Sequence, residues 1–325
     1  MIFGALLSLA SSFSFSVNSI LVRRGIAGAG ATASQGAFIT VLLGVPFGFI
    51  AVVLTGQVLR FGEVSPMGYL LLLAAGVVHF GVGRYCNYRS VAAIGAARSG
   101  PIMGVTTPFS ILMAVILLDE VVTLTMLIAI AFVLLGPAVI LERRPRTPAP
   151  ASPHPDPLPV GEGTRPAPAA RNPLEVRLLE GYAFASLAAV AYGTSPILIR
   201  AALMDAARTA AIGTFVAYSG ASVVLLATLV LPKRRQLIGA INVRYMRLFG
   251  GAGSAVFLAQ LLRFFALSLA DVSVVNPLQR MANVFTVVLT WMFNRSLETI
   301  TLRVVVGVLV SFAGSALLVY AAATR

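Results

Sequence analysis

Charge is what this sequence has least of. Only 11% of its 325 residues are Asp, Glu, Lys or Arg, less than half of the roughly 25% usual in soluble domains. A soluble globule of this size could not cover its apolar interior with so few charges. Cys86 is the single cysteine, which rules out a disulfide within the chain. HExxH, GxSxG and paired Cys/His sets are all missing, so no metal site or enzyme active site is expected and no cofactor is called for. The phosphate-loop motif GxxxxGK[ST] is missing too, so ATP is not expected to be the energy source within this chain. Alternation at period two is lacking, which argues against a β-barrel.

What the sequence does have is apolar length. Hydrophobic residues make up 58% and the mean hydropathy is +0.92. Stretches free of charge run over 1–22, 25–59, 64–83, 99–118, 121–141, 181–199, 209–232 and 304–324, and two more, 248–270 and 272–294, are interrupted only by Arg263, Asp271 and Arg280 at or between them. Each approaches the roughly 20 residues that a helix needs to cross the hydrocarbon core. The expectation is an all-α integral membrane protein of ten transmembrane helices. Arg23 and Arg24 follow the first stretch rather than precede it, so residues 1–22 read as a retained helix and not as a cleaved signal. The net charge of +13 comes from basic residues scattered at helix ends. Anchoring at lipid headgroups accounts for them better than nucleic acid, which is not expected as a partner.

Between 142 and 178 the composition changes abruptly, and ten of the 18 prolines fall in that segment. It reads as an extended or disordered linker; its run PHPDPLPVGEGT resembles the translated form of a mobile repetitive element, and His154 and Asp156 are assigned no chemistry. The linker divides the chain into a first five-helix repeat, 1–141, and a second, 179–325. FSVNSILVRRG (15–25) aligns with YGTSPILIRAA (192–202), Tyr88 with Phe264, Pro101 with Pro277, Thr123 with Thr299 and Gly136 with Gly314, all at nearly one offset. An odd number of helices per repeat makes the two halves inverted in the membrane, an arrangement used by secondary transporters that hold substrate near the midplane.

With ten spans in two repeats, the segments GPIMGVTTPFSILMAVILLDEVVTLTMLIAIAFVLLGPAVIL and NPLQRMANVFTVVLTWMFNRSLETITLRVVVGVLVSFAGSALL resemble the drug/metabolite transporter superfamily, EamA type. The resemblance rests on Pro101 and Pro277, Gly136 and Gly314, and the LLDE that ends in Glu120. It departs at Ser296, which stands opposite Glu120. It implies a transporter of small molecules without fixing which one, since relatives carry amino acids, sugars, nucleobases, cofactors and drugs.

Ionisable groups inside spans are costly and mark candidate sites. Arg84 and Tyr88 share a face of the third span, with Asn87 beside them; Gln260, Arg263 and Phe264 share one of the eighth; Asn276, Arg280 and Asn283 share one of the ninth. Arg98 is a further cation that could reach a cavity. These ten residues form the predicted substrate site, with Tyr88 and Phe264 as its aromatic wall. No Asp or Glu falls mid-span, and arginine's planar fork suits carboxylate or phosphate, so the preferred substrate is anionic or zwitterionic, such as an amino acid or organic acid. Plainer readings exist: Arg84, Arg89 and Arg98 as headgroup anchors, His79 as a packing residue, Glu120 as a helix cap, and GVPFG (44–48) and GPIMG (100–104) as close-packing motifs.

The sequence therefore reads as a secondary transporter of a small organic metabolite in the bacterial cytoplasmic membrane, working by alternating access. Coupling to a proton, exchange against a counter-substrate and facilitated flux all stay open, as does the oligomeric state. Two other readings are a ligand-binding sensor or assembly protein, and a flippase for lipids or lipid carriers. Basic residues concentrate on connections after the odd-numbered spans, which places both termini outside by the positive-inside rule; the resemblance implies cytoplasmic termini.

Overall fold

In hydrocarbon every backbone N–H and C=O must find a partner within the protein, and a helix is the shortest way to supply one. The computed structural model follows that rule: among the described residues the regular structure is helical throughout. Residues 1–29, 33–94, 102–140, 178–230, 243–293 and 302–324 are described, with isolated positions at 99, 232 and 235. The predicted linker lies outside them except for Leu178, which is helical; Arg98, Pro101, Ser296 and Thr299 also lie outside, and the side chain of Tyr88 is likewise not described.

The helices are α1 (Ile2–Ala29), α2 (Ala33–Leu54), α3 (Pro66–Gly76), α4 (Arg84–Ile94), α5 (Thr106–Leu117), α6 (Leu124–Ile140), α7 (Leu178–Leu203), α8 (Ala210–Ala227), α9 (Val243–Leu269), α10 (Val272–Gln279), α11 (Met281–Phe293) and α12 (Leu302–Ala323). By length and composition seven segments are able to cross a membrane: Ile2–Leu21, Gln35–Leu54, Pro66–Asn87, Leu178–Leu203, Ala207–Val230, Phe249–Leu269 and Val305–Ala323. Ile102–Leu117 and Leu124–Gly136 are apolar but shorter.

Two of the predicted windows are not simple rods. The third continues past its charge-free limit, because a π-helical stretch, Val77–Gly83, joins α3 to α4 and carries Arg84 and Asn87 within the span. The ninth is broken at Arg280, between α10 and α11. Pro277 removes one backbone donor there, and such losses must be made good by neighbours. Helix α1 adds hydroxyl donors to this span from serines at helical spacing. Ser8, Ser12 and Ser16 reach the carbonyls of Val275, Leu278 and Ala282 at 2.9, 2.8 and 2.7 Å.

Small residues set how closely the helices approach. A Cβ on Gly44 would overlap the ring of Tyr218, and one on Gly76 would overlap the backbone of Ala217, so α2 and α3 both lie hard against α8. A Cβ on Gly136 would meet Ser311 and Gly307, and one on Gly314 would meet Phe132 and Val133, which puts α6 and α12 in contact from both sides.

The acidic residues near helix ends serve as ties. Glu120 is 6% exposed and its carboxylate accepts the first two N–H groups of α10, from Val272 and Ser273. An anion at a helix N-terminus meets both unpaired donors and the positive end of the dipole. Gln57 does the same for α8 through the N–H groups of Ala211 and Ile212. Arg200 spans the turn after α9, donating to the Leu267 carbonyl at 3.0 Å and to Asp271 at 3.2 Å.

Candidate functional site

Polar groups deep in an apolar bundle must bond to each other. Two such groups form here. The first joins the π-helical stretch of residues 77–83 to α9: the Gln260 amide lies 3.2 Å from His79 Nε2, and Arg263 Nη1 donates to Gln260 Oε1 at 3.4 Å. Gln260 and Arg263 are 1% and 5% exposed, so this guanidinium is almost wholly withdrawn from solvent. Arg84 approaches from α4, with Nη1 3.5 Å from Thr40 Oγ1 on α2 and its guanidinium 5.4 Å from the Phe80 ring centre. The His79 ring also meets Tyr192 edge-on at 4.9 Å. His79 Nδ1 has no hydrogen-bond partner among the described residues.

The second group joins the broken ninth span to α5. Arg280 Nε donates to Thr107 Oγ1 at 2.6 Å and its Nη2 to the Met103 carbonyl at 3.2 Å. Asn276 is buried and its amide donates to Ser110 Oγ. Gln279, next to Arg280, turns the other way and bonds Ser8 on α1.

The ion pairs among the described residues are Arg60–Glu63, Arg89–Glu180 and Arg200–Asp271. Arg84, Arg263 and Arg280 therefore have no carboxylate partner among those residues. For Arg263, the buried one of the three, a guanidinium left this way is costly unless an anion completes it. Arg84 and Arg263 retain donors that could receive one.

Of the ten predicted residues, Arg84, Gln260 and Arg263 thus come to one polar group around His79, and Asn276 and Arg280 to another around Thr107 and Ser110. Asn87 is half-buried on the same span as Arg84. Phe264 differs from its predicted role as an aromatic wall. It is 1% exposed and packs in the core, facing Gly213 beside Leu72 and Leu203. Helical spacing places it near Arg263 but says nothing of depth. Asn283 also differs: the break at Arg280 interrupts the helical register that joined it to Asn276, and its side chain is exposed. Arg89, read as a headgroup anchor and not as a site residue, pairs with Glu180 over the Phe184 ring.

Thr40, Thr107, Ser110 and Tyr192 escaped the sequence reading. Hydroxyls in apolar helices usually bond their own helix one turn back, so TTPFS (106–110) carried no sign of a partner on the ninth span. His79, read as a hydrogen-bonded packing residue, bonds Gln260, which was already a candidate.

These features define a multi-pass helical membrane protein with buried cationic groups. The EamA-like transporter family model matches residues 2–142 and 179–320, and the chain belongs to that family, within the drug/metabolite transporter superfamily. No curated protein matches the sequence. A crystal structure of a protein 14% identical in sequence superposes with a TM-score of 0.68, over 98% of this chain and 96% of the other. At that identity the likeness is one of fold.

Proposed function

We propose that this protein is a secondary transporter that moves a small organic anion or zwitterion across the bacterial cytoplasmic membrane by alternating access. The observation that carries this reading is Arg263: a guanidinium 5% exposed, held by Gln260, with no carboxylate paired to it among the described residues. A substrate carboxylate or phosphate would supply the missing charge, and Arg84 and His79 would bracket it. Family membership supports transport as the outcome of binding.

The architecture behind this reading is ten spans in two inverted repeats, 1–141 and 179–325, with residues 142–178 as a linker. The helix pairings support it. Span one packs on span eight (α1 on α9), and span six packs on span three (α7 on α3 and α4), which is the same pair with the halves exchanged. Spans five and ten (α6 and α12) pack on each other through the equivalent glycines Gly136 and Gly314. In an inverted-repeat transporter the substrate lies where such halves meet.

The test is thermal stability of the purified protein against metabolites sorted by charge. A ligand at 100 times its dissociation constant adds about 2.7 kcal/mol. Anions or zwitterions should raise the midpoint, and Arg263→Ala should remove the effect. Stabilisation confined to neutral or cationic amphiphiles would refute this reading.

A further inference from the structure

None of the ten predicted site residues lines a further cavity, of about 940 Å³. Its volume is at the upper end of the roughly 300–1,000 Å³ typical of small-molecule pockets. One wall is Val77, Gly81, Val82 and Cys86, on the π-helical stretch and α4; facing them are Leu187 of α7 and Val224 of α8. The lining carries no charged side chain.

Three features identify what this groove fits. It opens sideways: Val82, Leu187 and Val224 are 40%, 48% and 37% exposed at positions inside membrane-crossing segments. It has a polar end. Tyr85 and Phe184 meet edge-on at 6.1 Å, and one helical turn beyond them Arg89 pairs with Glu180. Its depth is that of one leaflet. Along this segment the lining runs nine residues, from Val77 to Cys86, at most about 14 Å at roughly 1.5 Å per residue, close to the half-thickness of about 15 Å for the hydrocarbon core. Arg235, exposed and three residues past the lining residue Pro232, adds a cation on the chain that borders the groove.

We infer that this groove holds one acyl chain of a bilayer phospholipid, its tail lying along the π-helical stretch and its phosphate level with Arg89 and Arg235. The inference does not rest on the transport reading, since it uses a different face of the third span. His79 projects from that same stretch to Gln260, so the lipid chain and the polar group share one distorted turn. Such π-turns cost hydrogen-bond geometry and recur at functional positions.

Gly81 gives the test. Gly81 lines the groove, and a Cβ there would meet only Val77, at 3.9 Å, so a side chain starting at this position points into the groove without a clash at its root. The full-length protein would be reconstituted in phosphatidylethanolamine–phosphatidylglycerol vesicles, extracted in mild detergent and washed, and its retained phospholipid measured by mass spectrometry. Wild type and Leu127→Phe, which lies on the exposed face of α6, should retain phospholipid. Gly81→Phe and, from the opposite wall, Val224→Phe should lose it while eluting as the same monodisperse species. Equal retention in Gly81→Phe and wild type would overturn the inference. So would a wild-type protein that keeps none, or that keeps detergent alone, because the groove would then be filled by the chain itself or by any apolar molecule.

Discussion

Glu120 holds the start of the helix that begins at Val272: its two carboxylate oxygens accept the N–H groups of Val272 and Ser273 at 2.7 and 2.9 Å, across 152 residues of chain. These two donors belong to the first turn of α10, where no carbonyl of the helix itself can reach them. Replacing Glu120 by Ala leaves both buried and unpaired, at about 1–3 kcal/mol each. Glu120→Ala should therefore lower the thermal midpoint in detergent by several degrees. Glu120→Gln keeps one acceptor oxygen and should lose clearly less. Equal losses in both variants would mean that side-chain packing, not the cap, is what Glu120 provides.

The glycines offer a second test, because their neighbours differ in kind. At Gly314 a Cβ would come within 2.7 Å of Phe132 Cβ and of the Val133 nitrogen, and 2.9 Å from the Ala129 carbonyl. Backbone cannot step aside as a side chain can, so Gly314→Ala must push α12 from α6. Overpacking of this sort costs about 1–3 kcal/mol. Nothing lies within 4 Å of a Cβ at Gly104. Gly104→Ala should be neutral or slightly stabilising, since alanine holds a helix better by about 0.5–1 kcal/mol. Unfolding midpoints measured side by side decide it, and a harmless Gly314→Ala would mean that the two helices can separate freely.

The contrast between these two glycines also marks how far the sequence could be read. Gly136 and Gly314 stood out because they aligned between halves, and charge-free windows located most helices because hydrocarbon tolerates so few charges. Depth and partners were less legible. Spacing set Phe264 beside Arg263, yet one faces the core and the other a polar group, a distinction that depends on helices elsewhere in the chain. Asn283 followed Arg280 only if the ninth span ran unbroken. Thr107 and Ser110 gave no signal, since a hydroxyl's choice between its own helix and a neighbour is made by packing.

Arg280 sits at that break, tied to Thr107 of α5 and to the Met103 carbonyl just before that helix. If it also contacts substrate, its removal and its loosening should differ. Arg280→Ala should abolish flux in proteoliposomes without reducing folded yield. Thr107→Val keeps the shape of residue 107 and the cation but removes one acceptor, so it should lower flux only in part. Full flux in Arg280→Ala would make this arginine a strut between the two helices and nothing more.

Arg263 permits a sharper experiment than deletion. Its Nη1 lies 3.4 Å from Gln260 Oε1, so Gln260→Glu places a carboxylate against the buried guanidinium with almost no change in volume. A charge pair formed there compensates Arg263 from within the protein. If the cation recruits an anionic substrate, Gln260→Glu should fold as well as wild type, or better, and yet lose stabilisation by anions. Arg263→Ala should lose that stabilisation too, but without the internal pair. Should Gln260→Glu respond to anions as wild type does, the charge at Arg263 is not what the substrate meets, and the site would have to be sought around Arg280.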